Sequence, residues 1–145
     1  MHQSRDSRTP ARTAPLPLVI GVTGHRDLSP VDREALEGRV RAIFVELQNR
    51  YPATLLVLLS PLAEGADRLA ARVALSCGVS LIVPLPMAQD LYETDFETPA
   101  SLAEFRDLLQ QAEAWFELAP AVDGVQEATE MGGASRDRLY AQVGA

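Results

Sequence analysis

The chain has 145 residues, 47% of them apolar, which suits one domain with one core. Its net charge of −7 speaks against a protein that coats DNA or RNA, because such binding leaves a basic footprint. A single cysteine, Cys77, excludes an internal disulfide and a cysteine-rich zinc site, and it favours a reducing, cytoplasmic setting.

The first fifteen residues, MHQSRDSRTPARTAP, carry Arg5, Arg8 and Arg12 against Asp6, so the acidic excess lies in the rest of the chain. They hold no apolar block and are not a secretory signal. Their composition predicts a disordered tail, with an organelle transit peptide as the alternative. Residues 16 to 145 are then the domain. No apolar run approaches the roughly 20 residues that span a bilayer, so no membrane partner is expected.

LPLVIGV, residues 16 to 22, is short, rich in Val and Ile, and ends at glycine, which predicts a buried strand. A helix follows, with Ser29 as cap, Pro30 in the first helical position and Asp32 three residues after the cap. Leu36, Val40, Ile43, Phe44 and Leu47 recur at helical spacing, and Pro52 ends the segment. TLLVLLS, 54 to 60, is a second continuous apolar run of the kind that fills central parallel strands. The next helix begins near Ala66, with Leu69, Ala70, Val73, Ala74 and Cys77 inside and Gly78 at its left-handed C-terminal cap. VSLIVPL, 79 to 85, reads as a third strand interrupted by Pro84.

A long connection, PMAQDLYETDFETPA, leads to a third helix that opens with a Ser101–Glu104 capping box. Its stripe is Leu102, Phe105, Leu108, Leu109 and Ala112. AWFEL, 114 to 118, reads as a short fourth strand. Residues 119 to 133 read as loop, and a last helix is expected from Ser135 to the end. This alternation predicts an α/β fold, a Rossmann-like three-layer sandwich with a mostly parallel sheet of about four or five strands.

Ligands of such sheets lie beyond the carboxyl ends of the strands, which selects the loops at 21–30, 60–66 and 84–100. In the first, Gly21 and Gly24 allow a sharp turn and a close backbone approach to a ligand. The helix behind them offers free N–H groups, Arg26 a bidentate phosphate contact and His25 a further donor. A plain strand-to-helix turn with surface charge is the alternative. The spacing is G-x-x-G rather than G-x-G-x-x-G, no acidic residue ends the second strand, and no G-K-[ST] follows. A nicotinamide dehydrogenase and a Walker-type ATPase are therefore disfavoured. In the second loop, Ser60, Glu64 and Asp67 either face a ligand's hydroxyls or stabilise the helix start, and Gly65 marks a bend or a close approach. In the third, Tyr92 and Phe96 read as core over the sheet end, with base stacking as the alternative. The strip Asp90, Glu93, Asp95 and Glu97 reads as solvated surface. His2 and His25 make no metal pair, so no metal and no required cofactor are expected.

GVTGHRDL, SPLAEGADRLAARVAL, LIVPLPM and YETDFETPASLAEFRDLL together resemble the SLOG superfamily of Rossmann-like proteins, which includes the Lonely Guy phosphoribohydrolases, the DprA DNA-processing proteins and the sensor domains of TRPM channels. The likeness covers roughly residues 18 to 118. It is most specific in the DprA-type S-G-x-A-x-G-x-D-x-x-A, which here runs from Ser60 to Ala70 with Pro61 in place of the first glycine. The resemblance implies a nucleotide or nucleotide-derived ligand, ADP-ribose-like compounds among them, at the carboxyl edge of the sheet. Gly21, Thr23, Gly24, His25 and Arg26 would form one wall, and Ser60, Glu64, Gly65 and Asp67 the other.

The Lonely Guy motif P-G-G-x-G-T-x-x-E has no counterpart here, since MGGASRDR at 131 to 138 lacks its Pro, Thr and Glu. Phosphoribohydrolase activity is therefore not supported. The chain reads as the first part of a longer domain, or as a version missing one wall of its pocket. A binding module of sensor type is the leading expectation. The alternatives are a hydrolase of N-glycosidic or phosphate bonds, with Glu64 or Asp67 as acid or base, and a scaffold with a degenerate site. A homodimer would cover an open sheet edge.

Overall fold

A computed structural model describes residues 15–119. The expected helix at 135–145 and nearly all of the expected tail at 1–15 lie outside the described residues. Within them the order is β1 (Leu18–Gly21), α1 (Pro30–Arg50), β2 (Leu56–Leu59), α2 (Ala66–Ser76), β3 (Ser80–Leu85), α3 (Gln89–Glu93), α4 (Pro99–Gln111) and β4 (Ala114–Glu117). The four strands form one sheet in the order β1-β2-β3-β4. All neighbours are parallel, with Leu18 opposite Leu56, Leu58 opposite Leu81 and Val83 opposite Trp115. The fold is therefore α/β and Rossmann-like, a parallel sheet flanked by helices.

Strand order and chain order coincide. Right-handed crossovers then lay successive helices on one face of the sheet. The side chains agree. Leu56, Leu58, Leu81, Val83 and Leu85 alternate onto that face and pack with Phe44 of α1, Leu69 and Val73 of α2, and Phe105 and Leu108 of α4. The opposite face is also apolar, with Val19 half exposed, Leu59 and Ile82 partly covered, and Phe116 half exposed.

The helix ends follow their local chemistry. Ser29 caps α1, its Oγ accepting from the Asp32 N–H at 3.2 Å, with Pro30 in the first turn. Of the expected α1 stripe Phe44 is buried, Leu36, Val40 and Leu47 are partly buried against the core, and Ile43 is 53% exposed. At the other end of α2, Gly78 takes φ +72°. Its N–H donates to Leu75 O and that of Val79 to Ala74 O, the double bond pattern of a Schellman cap. Pro84 sits in β3 beyond its last pairing with β2, Leu59 opposite Ile82, so its missing N–H interrupts no bond between those strands.

The cap of α4 differs from the expectation. Thr98, not Ser101, accepts a backbone N–H, that of Ser101 at 3.1 Å, and Pro99 follows it in the first helical position. Ser101 and Glu104 are thereby released to bind α2. The long connection before α4 contains the short helix α3. Tyr92 and Phe96 are core, as expected. They pack edge-on at 5.1 Å, and Tyr92 meets Phe105 edge-on at 5.6 Å.

Candidate ligand-binding site

The first and second loops lie against each other at the carboxyl edge of the sheet. Ala66 N–H donates to His25 O at 3.1 Å. A Cβ on Gly24 would overlap the Ala66 methyl group, and a Cβ on Gly65 would overlap the carbonyl oxygens of His25 and Arg26. Gly65 also holds φ +88°, in the region that favours glycine. Both glycines are therefore demanded by the approach of one loop to the other.

The turn after β2 is held from below. Ser60 is fully buried; its Oγ donates to Asp67 O and accepts the Leu62 N–H, both at 3.2 Å. Leu62 takes φ +60°, a left-handed conformation rare for a leucine, and is itself buried. Arg68 Nε donates to Leu62 O at 2.9 Å and closes the turn from the other side. Ser60 thus braces the loop instead of facing a ligand.

Six of the nine expected residues line one cavity of about 500 Å³: Gly21, Thr23, Gly24, Arg26, Glu64 and Asp67. Leu59 and Pro84, from the sheet face opposite the helices, close its base. Its size lies in the range of small-molecule sites, and apolar walls with a few polar groups are their usual lining. Gly65 lines a neighbouring cavity, while Ser60 and His25 line neither. Asp67 is 8% exposed. Burial pushes its pKa up to about 6, against the Ala63 N–H, which donates to it and favours the ionised form.

The neighbouring cavity, about 420 Å³, lies over the first turns of α1, α2 and α4 and shares Arg26 and Glu64 with the first. Arg26 Nε stands 3.6 Å from Glu64 Oε2. Glu64 also accepts a hydrogen bond from Ser101 Oγ. Arg68 gathers this region. It is 2% exposed, donates through Nη1 to Ser101 O at 2.8 Å and to Glu104 at 3.2 Å, and lies 4.4 Å over the Phe96 ring. Burial lowers its pKa from the ordinary arginine value, and the carboxylate of Glu64 opposes that shift. Arg72 adds a second ion pair to Glu104.

Sequence reasoning missed Arg68, Ser101 and Glu104 as parts of this site. A long cation in the first turn of a helix reads as surface; the carbonyl of Leu62 and the start of α4 make it a buried hub. Among the described residues no group of three or more His, Cys, Asp or Glu side chains is placed to hold a metal ion. No helix among them is long and apolar enough to cross a membrane.

No family model matches the chain, and no curated protein does. Among solved structures, that of DNA processing protein A (DprA) from Streptococcus pneumoniae is similar in fold, with 22% identity and a TM-score of 0.49. The match covers 88% of this chain and 38% of that one, so the chain spans under two fifths of that protein's length. The parallel sheet and its helices establish the Rossmann-like class of this chain by themselves.

Proposed function

We propose that this chain is a SLOG-type domain that binds a nucleotide or nucleotide-derived ligand in the cavity at the carboxyl edge of its sheet. One observation carries the reading. The two loops whose motifs resemble that superfamily converge on a single cavity, and Thr23, Arg26, Glu64 and Asp67 supply its polar lining. The division of chemistry suits such a ligand. Arg26, 47% exposed, is free enough to turn from Glu64 to a phosphate. The two carboxylates accept from sugar hydroxyls. Leu59 and Pro84 offer an apolar floor for a base.

Binding is tested by thermal shift and calorimetry with AMP, GMP, ADP-ribose, NAD and cyclic dinucleotides. A ligand at a hundred times its dissociation constant adds about 2.7 kcal/mol. For a chain of this size that is roughly 5–11 °C in the melting midpoint. Arg26→Ala is expected to weaken binding at least tenfold while the free protein melts as before. A cooperatively melting protein with no shift in any of these ligands refutes the reading.

The position of Asp67 favours a second reading, a hydrolase of N-glycosidic or phosphate bonds. A carboxyl group in a ligand cavity with a pKa near 6 exchanges protons readily at neutral pH. Asp67→Asn would then abolish release of base or phosphate and leave binding in place. Binding without release in the unaltered protein excludes this alternative.

A further inference from the structure

β4 is the last strand of the sheet and, among the described residues, has a neighbour on one side only. An open strand edge offers its N–H and C=O groups to a further chain. Beside this edge runs a groove of about 460 Å³, separate from the cavities at the carboxyl edge. Ala103, Arg106, Asp107 and Gln110, one stripe of α4, form one wall. Gln89 of α3 and Trp115 of β4 line it as well. Trp115 is 45% exposed, although tryptophan is on average a highly buried residue.

The groove lies in the acidic part of the chain. Residues 86–118 hold eight acidic side chains and one basic, Arg106. Arg106 is already engaged, its Nε donating to Glu93 Oε1 at 3.0 Å and its Nη2 to Glu93 Oε2 at 2.5 Å. Asp107, on the wall, makes no ion pair among the described residues. Nor does Glu117, two residues beyond Trp115 on the same face of β4, which accepts the Gln89 N–H at 2.9 Å. An exposed indole between two such carboxylates suits a guanidinium, which stacks on the ring and donates to the oxygens. A second copy of this chain is a poor occupant, because pairing β4 with β4 would set like charge against like.

The chain carries the complementary charge in residues 1–14, where Arg5, Arg8 and Arg12 stand against Asp6. These residues lead into β1. Because all strands are parallel, β1 and β4 start at one end of the sheet, three strand spacings or about 14 Å apart. Fourteen residues reach up to about 45 Å. We propose that residues 1–14 dock in the groove between α4 and the open edge of β4 of their own chain. An arginine of the segment stacks on Trp115 and pairs with Asp107 and Glu117. The segment thereby shields the edge strand from pairing with other chains.

Trp115 is the single tryptophan, so its emission reports on the groove directly. The test is acrylamide quenching of that emission in the full chain at low salt. Replacing Arg5, Arg8 and Arg12 together by serine is expected to raise the quenching constant about twofold or more and to leave the melting midpoint unchanged. Sodium chloride at about 0.5 M should do the same to the parent protein, because exposed ion pairs are screened. Asp107→Lys, at an exposed position in α4, should expose Trp115 in the parent and add nothing in the triple-serine variant. Equal quenching of the parent and the triple-serine variant overturns the proposal. If Asp107→Lys leaves the protection whole, or exposes Trp115 equally in both backgrounds, the groove is not where the segment lies. Protection that disappears on a hundredfold dilution comes from a second copy and overturns docking within one chain.

Discussion

Replacing Asp67 by asparagine removes a charge that its surroundings disfavour. The carboxylate is 8% exposed, at the first turn of α2. Its pKa rises from 3.8 to about 6, chiefly through burial. Because the folded value exceeds the unfolded one, the native state binds more protons between those two values, and stability falls as pH rises through that window. At about 1.4 kcal/mol per pH unit, the ionised carboxylate costs the native state on the order of 3 kcal/mol above pH 6. Asparagine keeps an oxygen to accept the Ala63 N–H and carries no charge. The variant is expected to match the parent protein below about pH 4 and to exceed it by about 3 kcal/mol at pH 7. That is roughly 6–12 °C in the melting midpoint. Urea melts at intervals between pH 3.5 and 7.5 measure the difference. A difference that does not change with pH would show that Asp67 is not held as a buried charge, and would remove the basis for an acid–base role.

Other substitutions separate packing from ligand contact. Gly24→Ala is expected to destabilise by about 1–3 kcal/mol through its overlap with the Ala66 methyl, and Ala66→Gly in the same chain should recover part of the loss; no recovery in chemical melts would count against the interlocked loops. Arg68→Ala strips donors from Leu62 O, Ser101 and Glu104 at once. A loss of about 3–5 kcal/mol is expected, and a loss under about 1 kcal/mol would contradict a buried hub. Thr98→Ala should lower the melting midpoint through about 1 kcal/mol of lost capping, whereas a silent substitution would return the cap to Ser101.

Much of the fold was legible in the sequence. The first three strands are short Val-, Ile- or Leu-rich runs, α1 and α4 open on a side-chain cap followed by proline, and α2 closes at Gly78. Such information is local, so it survives in a single chain read in order. Gly78 was readable as a cap because only the left-handed conformation, which glycine adopts freely, closes that helix end. The gathering of the loops that follow the strands was legible too, because parallel strands put all their carboxyl ends on one edge.

What the sequence could not assign were the partners of polar side chains, since these come from distant segments. Ser60 looked like a ligand contact but tertiary structure turns it beneath Leu62. Gly24 and Gly65 read as places of close backbone approach, and the structure shows that what they approach is each other's loop. Ser101 and Glu104 looked like a capping box until Thr98 and Pro99 took that role and left them to Arg68. The sequence by itself determined a parallel α/β sheet and the edge at which its loops gather, because periodicity and caps act within a few residues. Only the tertiary structure decided that Arg26 and Glu64 stand between two cavities, because that depends on the N-termini of three helices meeting at one place.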